Sequence, residues 1–146
     1  MSAESLVFRA GSQLCALPLA DVVETMRPLP VRPLAGMPPH VLGISVVRGT
    51  PVPVIDVAEL LGAGDVDTAP TRFVVIRAGA GQAALATGPV VGIETLTAVA
   101  EPDGQPAPVS AVAVRDSEPL LALRGAALVP EVAWTAAPSP VAGTPS

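Results

Sequence analysis

The sequence predicts an all-β fold of small barrels, and three observations carry that prediction. Short β-branched or alternating runs, about ten in number, recur along the chain at near-regular spacing. No segment shows the sustained three- and four-residue apolar periodicity of a long helix. Hydrophobic residues make up 50% of the 146 but aromatics only 2%, so the interior must be built from Val, Leu, Ile and Ala, whose volumes suit thin sheets. A lobe of about 65 residues buries only ~60% of its unfolded surface. Two halves, dividing near residues 65–72, are therefore expected to share one core.

Taken in order, Leu6–Arg9, a turn at Gly11-Ser12, and Leu14–Leu17 read as an opening hairpin. Pro18 starts an amphipathic stretch, Leu19–Met26, in which Leu19, Val22, Val23 and Met26 recur at helical spacing and predict one or two helical turns. Pro28, Pro30 and Pro33 end it, because none donates to a helical ladder. Val41–Asp56 follows as the central hairpin, with Leu42–Val47 and Val52–Ile55 flanking Arg48-Gly49-Thr50-Pro51. An arginine beside a turn glycine projects its charge from a rigid base and is a candidate contact.

Val57–Leu61 reads as a helical turn with Asp56 as N-cap and Gly62 as stop, and Gly62–Pro70 as a loop. Thr71–Arg77, Gln82–Thr87, Val90–Leu96, Val109–Val114 and Leu120–Leu123 continue the strands. Glu101–Pro108 is an exposed loop and Gly125–Val129 a closing helical turn. From Pro130, and above all over 136–146, the Pro/Ala-rich composition predicts a disordered tail, which leaves 1–135 as the folded part.

Charge and composition exclude several functions. A net charge of −5 and eight scattered arginines, with no lysine, argue against nucleic-acid binding. One cysteine permits no internal disulfide and fits a reducing compartment. No apolar run approaches the ~18 residues of a membrane span and no basic leader opens the chain, so the expectation is a cytoplasmic protein without direct membrane insertion.

No catalytic constellation emerges. Gly79-Ala80-Gly81-Gln82-Ala83-Ala84 matches G-x-G-x-x-A, with Asp103 downstream, and makes a small nucleotide-binding enzyme the alternative reading. Gly88-Pro89 stops any following helix too early for a phosphate-binding crossover, so these glycines are expected to form a hairpin turn. Cys15 sits in a strand and reads as a buried thiol, and His40 as a loop residue. Together they cannot complete a metal site, and Asp65-Val66-Asp67 lacks the further ligands of a calcium loop. The expectation is a non-catalytic chain, without metal or cofactor, that binds partners through apolar surface and strand edges.

Four features, in order, resemble the CheW family of chemotaxis adaptors. They are Phe8-Arg9-Ala10-Gly11 with Ala16-Leu17-Pro18-Leu19; Val22-Val23-Glu24; Leu42-Gly43-Ile44 through Val47-Arg48-Gly49; and Val52-Pro53-Val54-Ile55-Asp56. The resemblance covers most of residues 5–129 and implies two linked five-stranded SH3-like barrels without enzymatic activity. It implies an adaptor between the cytoplasmic tip of a methyl-accepting chemoreceptor and the regulatory barrel of the histidine kinase CheA. It also places Val22, Glu24, Gly43, Arg48 and Gly49 at partner-binding positions. The chain departs from the family pattern at Val46, where asparagine usually precedes L-R-G, at Gly88 and at Arg124.

Overall fold

A computed structural model describes residues 3–63, 69–79 and 81–136. Among them ten strands form two five-stranded sheets. In chain order they are β1 (Ala3–Ala10), β2 (Gln13–Pro18), β3 (Val22–Met26), β4 (Val41–Val47), β5 (Thr50–Asp56), β6 (Arg72–Ala78), β7 (Gly81–Thr87), β8 (Val90–Leu96), β9 (Val109–Arg115) and β10 (Glu118–Leu123). Two short helices, α1 (Val57–Leu61) and α2 (Glu131–Ala136), and two tight helical turns complete the fold.

The first sheet runs β8-β1-β2-β10-β9 and the second β3-β6-β7-β5-β4. Each joins its strands antiparallel except at one central parallel pair, β2 with β10 and β5 with β7. The two sheets repeat each other in register. Val41 faces Ile55 and Val47 faces Thr50 in one hairpin; Val109 faces Leu123 and Arg115 faces Glu118 in the other. Even the isolated bridges correspond, Arg32 to Ile44 and Ala100 to Val112. The expected division near 65–72 falls between β5 and β6, two strands of one sheet. The chain on either side of it contributes to both sheets, since hairpin β1–β2 pairs with β8 and β10 while hairpin β6–β7 pairs with β3 and β5.

That exchange explains the apolar runs. Central strands are buried on both faces, because one face fills its own sheet's interior and the other meets the opposite sheet. Val7, Leu14, Ala16, Ala113 and Leu120 fill the first sheet, and Val52, Val54, Phe73, Val75 and Ala84 the second. Phe8, Leu17, Ile55, Ile76, Leu85 and Leu123 build the shared core between them.

Several expectations meet their residues directly. Asp56 caps α1, its carboxylate accepting from the Glu59 amide at 3.2 Å, and Gly62 ends the helix in the left-handed region at φ 69°. Gly79, at φ 54°, turns β6 into β7, and a strand follows where a dinucleotide site needs a helix. Among the described residues no helix opens after Gly79, the element that a dinucleotide-binding turn requires.

Two expectations are corrected. Val22–Met26 is a strand paired with β6, preceded by a single helical turn at Leu19–Asp21. Five residues hold too few turns to fix a period, and β-branched Val22, Val23 and Thr25 favour the pleated backbone. Beyond Pro130 the chain forms α2, with Ala133 buried and Trp134 packed against the shared core. Of the tail expected at 136–146, Ala136 ends α2 and residues 137–146, like the loop aspartates Asp65 and Asp67, lie outside the described residues.

Candidate partner-binding surface

The sequence between β4 and β5 forces a tight turn. Arg48 and Gly49 both take positive φ, 49° and 81°, the conformation of a two-residue hairpin whose twist matches its strands. Glycine accepts this freely and arginine at some strain, so the guanidinium is launched from a fixed point. There it meets Glu24 of β3. Arg48 Nε donates to Glu24 Oε2 at 2.7 Å and Nη2 to Oε1 at 2.7 Å, a parallel two-point pair. β3 and β4 are opposite edges of the second sheet, so this pair closes the curled sheet edge to edge.

The pair is asymmetric in exposure. Arg48 is 75% exposed and Glu24 24%, so the carboxylate positions a guanidinium whose outer face meets solvent. Hydrogen bonding to Arg48 holds the Glu24 carboxyl below its usual range, and Glu24 raises the arginine. The Arg9–Glu118 pair, at 2.7 and 2.8 Å, likewise lowers Glu118 through its hydrogen bonds. Both carboxyls bind protons more weakly folded than unfolded. Their contribution is present above the ordinary glutamate range of about 4.3 and is lost as pH falls through the depressed values. Thermal unfolding measured from pH 6 downward should show a decline in Tm that Glu24→Gln and Glu118→Gln each flatten.

The other predicted positions separate. Gly49 is exposed beside Arg48 at the turn. Val22 is half-buried and packs against the shared core. Gly43 is buried: at φ 145° it lies under the connector, where an added Cβ would stand 2.0 Å from the Arg32 carbonyl oxygen. Its position admits the Arg32–Ile44 bridge, so the structure groups Glu24, Arg48 and Gly49 and leaves Gly43 as a packing residue against the connector. Val46, 61% exposed, stands on the same hairpin.

A second constellation escaped the sequence reading. Arg115, closing β9, donates to Glu94 of the edge strand β8 at 2.5 Å, and Val114 is 51% exposed opposite Pro119 just as Val46 is opposite Pro51. The signal was an internal repeat. Phe8-Arg9-Ala10-Gly11 recurs as Ile76-Arg77-Ala78-Gly79, and Val22-Val23-Glu24-Thr25-Met26 as Val90-Val91-Gly92-Ile93-Glu94-Thr95-Leu96.

The departures from the family pattern have their own structural uses. Gly88 lets the sheets approach, its amide donating to Arg9 O at 2.7 Å where a Cβ would meet that oxygen at 3.0 Å. Arg124 donates to Ala107 O at 2.9 Å, pinning the long loop.

Nucleophilic chemistry has no support in this arrangement. Cys15 is wholly buried, and burial pushes its thiol up to about 12, so it stays protonated at neutral pH. Among the described residues no three His, Cys, Asp or Glu side chains gather as metal ligands, and no helix is long and apolar enough to cross a membrane.

Comparison with known families settles the kinship, because the family model of the CheW-like domain matches residues 4–133. The chain belongs to the CheW-like domain family. This is a family of chemosensory signalling scaffolds. The fold agrees with the crystal structure of the scaffolding protein TtCheW from Thermoanaerobacter tengcongensis, with a TM-score of 0.73 at 20% identity over 85% of this chain and 90% of that one. No curated protein matches the chain.

Proposed function

We propose that this CheW-like protein is a non-enzymatic adaptor. It acts in the cytoplasm at membrane-associated arrays, joining the cytoplasmic tip of a methyl-accepting chemoreceptor to the regulatory barrel domain of a CheA-type histidine kinase. It uses no cofactor, engages no nucleic acid and reaches the membrane through its partners. The observation that carries this reading is the Glu24-braced Arg48 on a rigid turn, its side chain three-quarters exposed and its Nη1 edge open to another protein. A planar, always-charged fork fits a partner carboxylate or backbone carbonyl, and its bracing reduces the entropy lost on binding. The scaffolding title of the structurally similar TtCheW supports the same class of role.

The test is co-purification from the native cell with the chemoreceptor and kinase encoded there. Arg48→Glu is expected to keep the unaltered circular dichroism spectrum and to weaken capture of at least one partner by roughly tenfold or more, as for other charged residues at interface centres. Undiminished capture of both partners would remove Arg48 from the interface. Failure of the unaltered protein to retain either would remove the adaptor reading.

A further inference from the structure

Arg27-Pro28-Leu29-Pro30-Val31-Arg32-Pro33 opens the connector from β3 to β4, and the Arg48 surface leaves it unused. The segment forms no helix, and no strand beyond the Arg32–Ile44 bridge. Its three prolines fix their own φ and press the residue before each, Arg27, Leu29 and Arg32, out of the helical region. Only Val31 is unconstrained, and no residue of the segment takes a positive φ. The backbone is therefore held extended, close to a polyproline II helix of about three residues per turn. On such a helix Arg27, Pro30 and Pro33 share one edge. All three are exposed, while Leu29, Val31 and Leu34 on the other edges are half-buried. Leu29 and Val31 pack against the interior of the second sheet. Hydrogen bonds pin the segment as well: Pro30 O accepts from Ser45 Oγ at 2.7 Å, and Arg32 exchanges two main-chain bonds with Ile44 at 2.8 and 2.9 Å.

We infer that the Arg27–Pro30–Pro33 edge is a docking strip for a partner groove lined by aromatic side chains and closed by a carboxylate. Prolines at this spacing present their rings in one line, the form in which aromatic grooves take proline-rich chains. Arg27 continues the line and gives it a direction. Its guanidinium pairs with no carboxylate among the described residues and is open to one from the partner. Because the strip is already pinned in its extended form, docking orders little further backbone, which removes a main cost of binding a proline-rich segment. The inference rests on the connector and not on the Arg48 turn, so it stands or falls separately from the adaptor reading.

Titration of the isotope-labelled full chain with an isolated SH3 domain, of the class that takes arginine ahead of its prolines, tests it. The amide signals of Leu29, Val31, Arg32 and Leu34 should shift, and those of β9 and β10 should not. Pro30→Ala with Pro33→Ala, and separately Arg27→Glu, should each weaken binding by roughly tenfold or more. Both should keep the circular dichroism spectrum, since the altered side chains are exposed. If the proline variant unfolds, Arg27→Glu alone decides. Pro119→Ala, at an exposed proline of β10, should bind unchanged. A probe whose groove tryptophan is replaced by alanine should not bind. No shift, shifts centred away from the connector, undiminished binding by a folded variant, or equal binding of the groove-deficient probe would each overturn the inference.

Discussion

Gly43→Ala is expected to destabilise the protein by about 2–6 kcal/mol, summing a strained positive-φ backbone of about 1–3 kcal/mol with overpacking of similar size. The added Cβ would lie 2.0 Å from Arg32 O, 2.7 Å from its carbonyl carbon and 2.9 Å from Pro33 Cα. None of these atoms can yield cheaply. Arg32 exchanges two main-chain hydrogen bonds with Ile44, at 2.8 and 2.9 Å, and Ser45 Oγ donates to Pro30 O at 2.7 Å, so the connector is pinned on both sides of the clash. The expected fall in Tm is about 10 °C. Gly36→Ala is the matched control, with a positive φ of 77° but open space around its Cβ, and should cost only about 1–2 kcal/mol. Equal losses at the two sites in thermal melts would mean that backbone conformation, not the close approach, governs Gly43.

Phe8→Ala is the second large effect, at about 3–5 kcal/mol for a buried aromatic replaced in a core that collapses only partly. Phe8 is fully buried in β1 of the first sheet, and the cluster around it includes Ile55, Ile76 and Leu85 of the second. Its loss is therefore shared by both sheets. The sole tryptophan, Trp134, packs near Gly81 of β7 and reports on the second sheet, while far-ultraviolet circular dichroism reports on both. In urea the two signals should shift together to a lower midpoint, as one cooperative transition. Separate transitions would show that each sheet is stable by itself and that the shared core does not couple them.

What was readable in advance was local. The Arg48-Gly49 turn, the Asp56 cap and the Gly62 stop each depend on residues within four positions, where turn and capping chemistry acts. The strand count, the all-β class and the hairpin nature of the Gly79 turn followed from the same short-range rules. The spacing over Leu19–Met26 fits a helical period, and only pairing with β6 decides that Val22–Met26 is extended. Composition from Pro130 onward is Pro/Ala-rich and predicts a tail, whereas α2 is favoured by Trp134 meeting a core that local pattern does not reveal.

The sequence by itself determined the class of the fold and the conformation of its turns. Only the tertiary structure decided that the halves exchange hairpins, that Arg48 meets Glu24 across two sheet edges, and that Gly43 is a packing residue. The reason is physical. Capping and turn preference act over a few bonds and leave a mark in neighbouring residues, whereas these juxtapositions join segments well separated in sequence, 24 residues apart for Arg48 and Glu24 and far more for the exchanged hairpins. A register slip of one residue would carry each side chain to the opposite face, so the ion pair does not exist until the sheet is assembled.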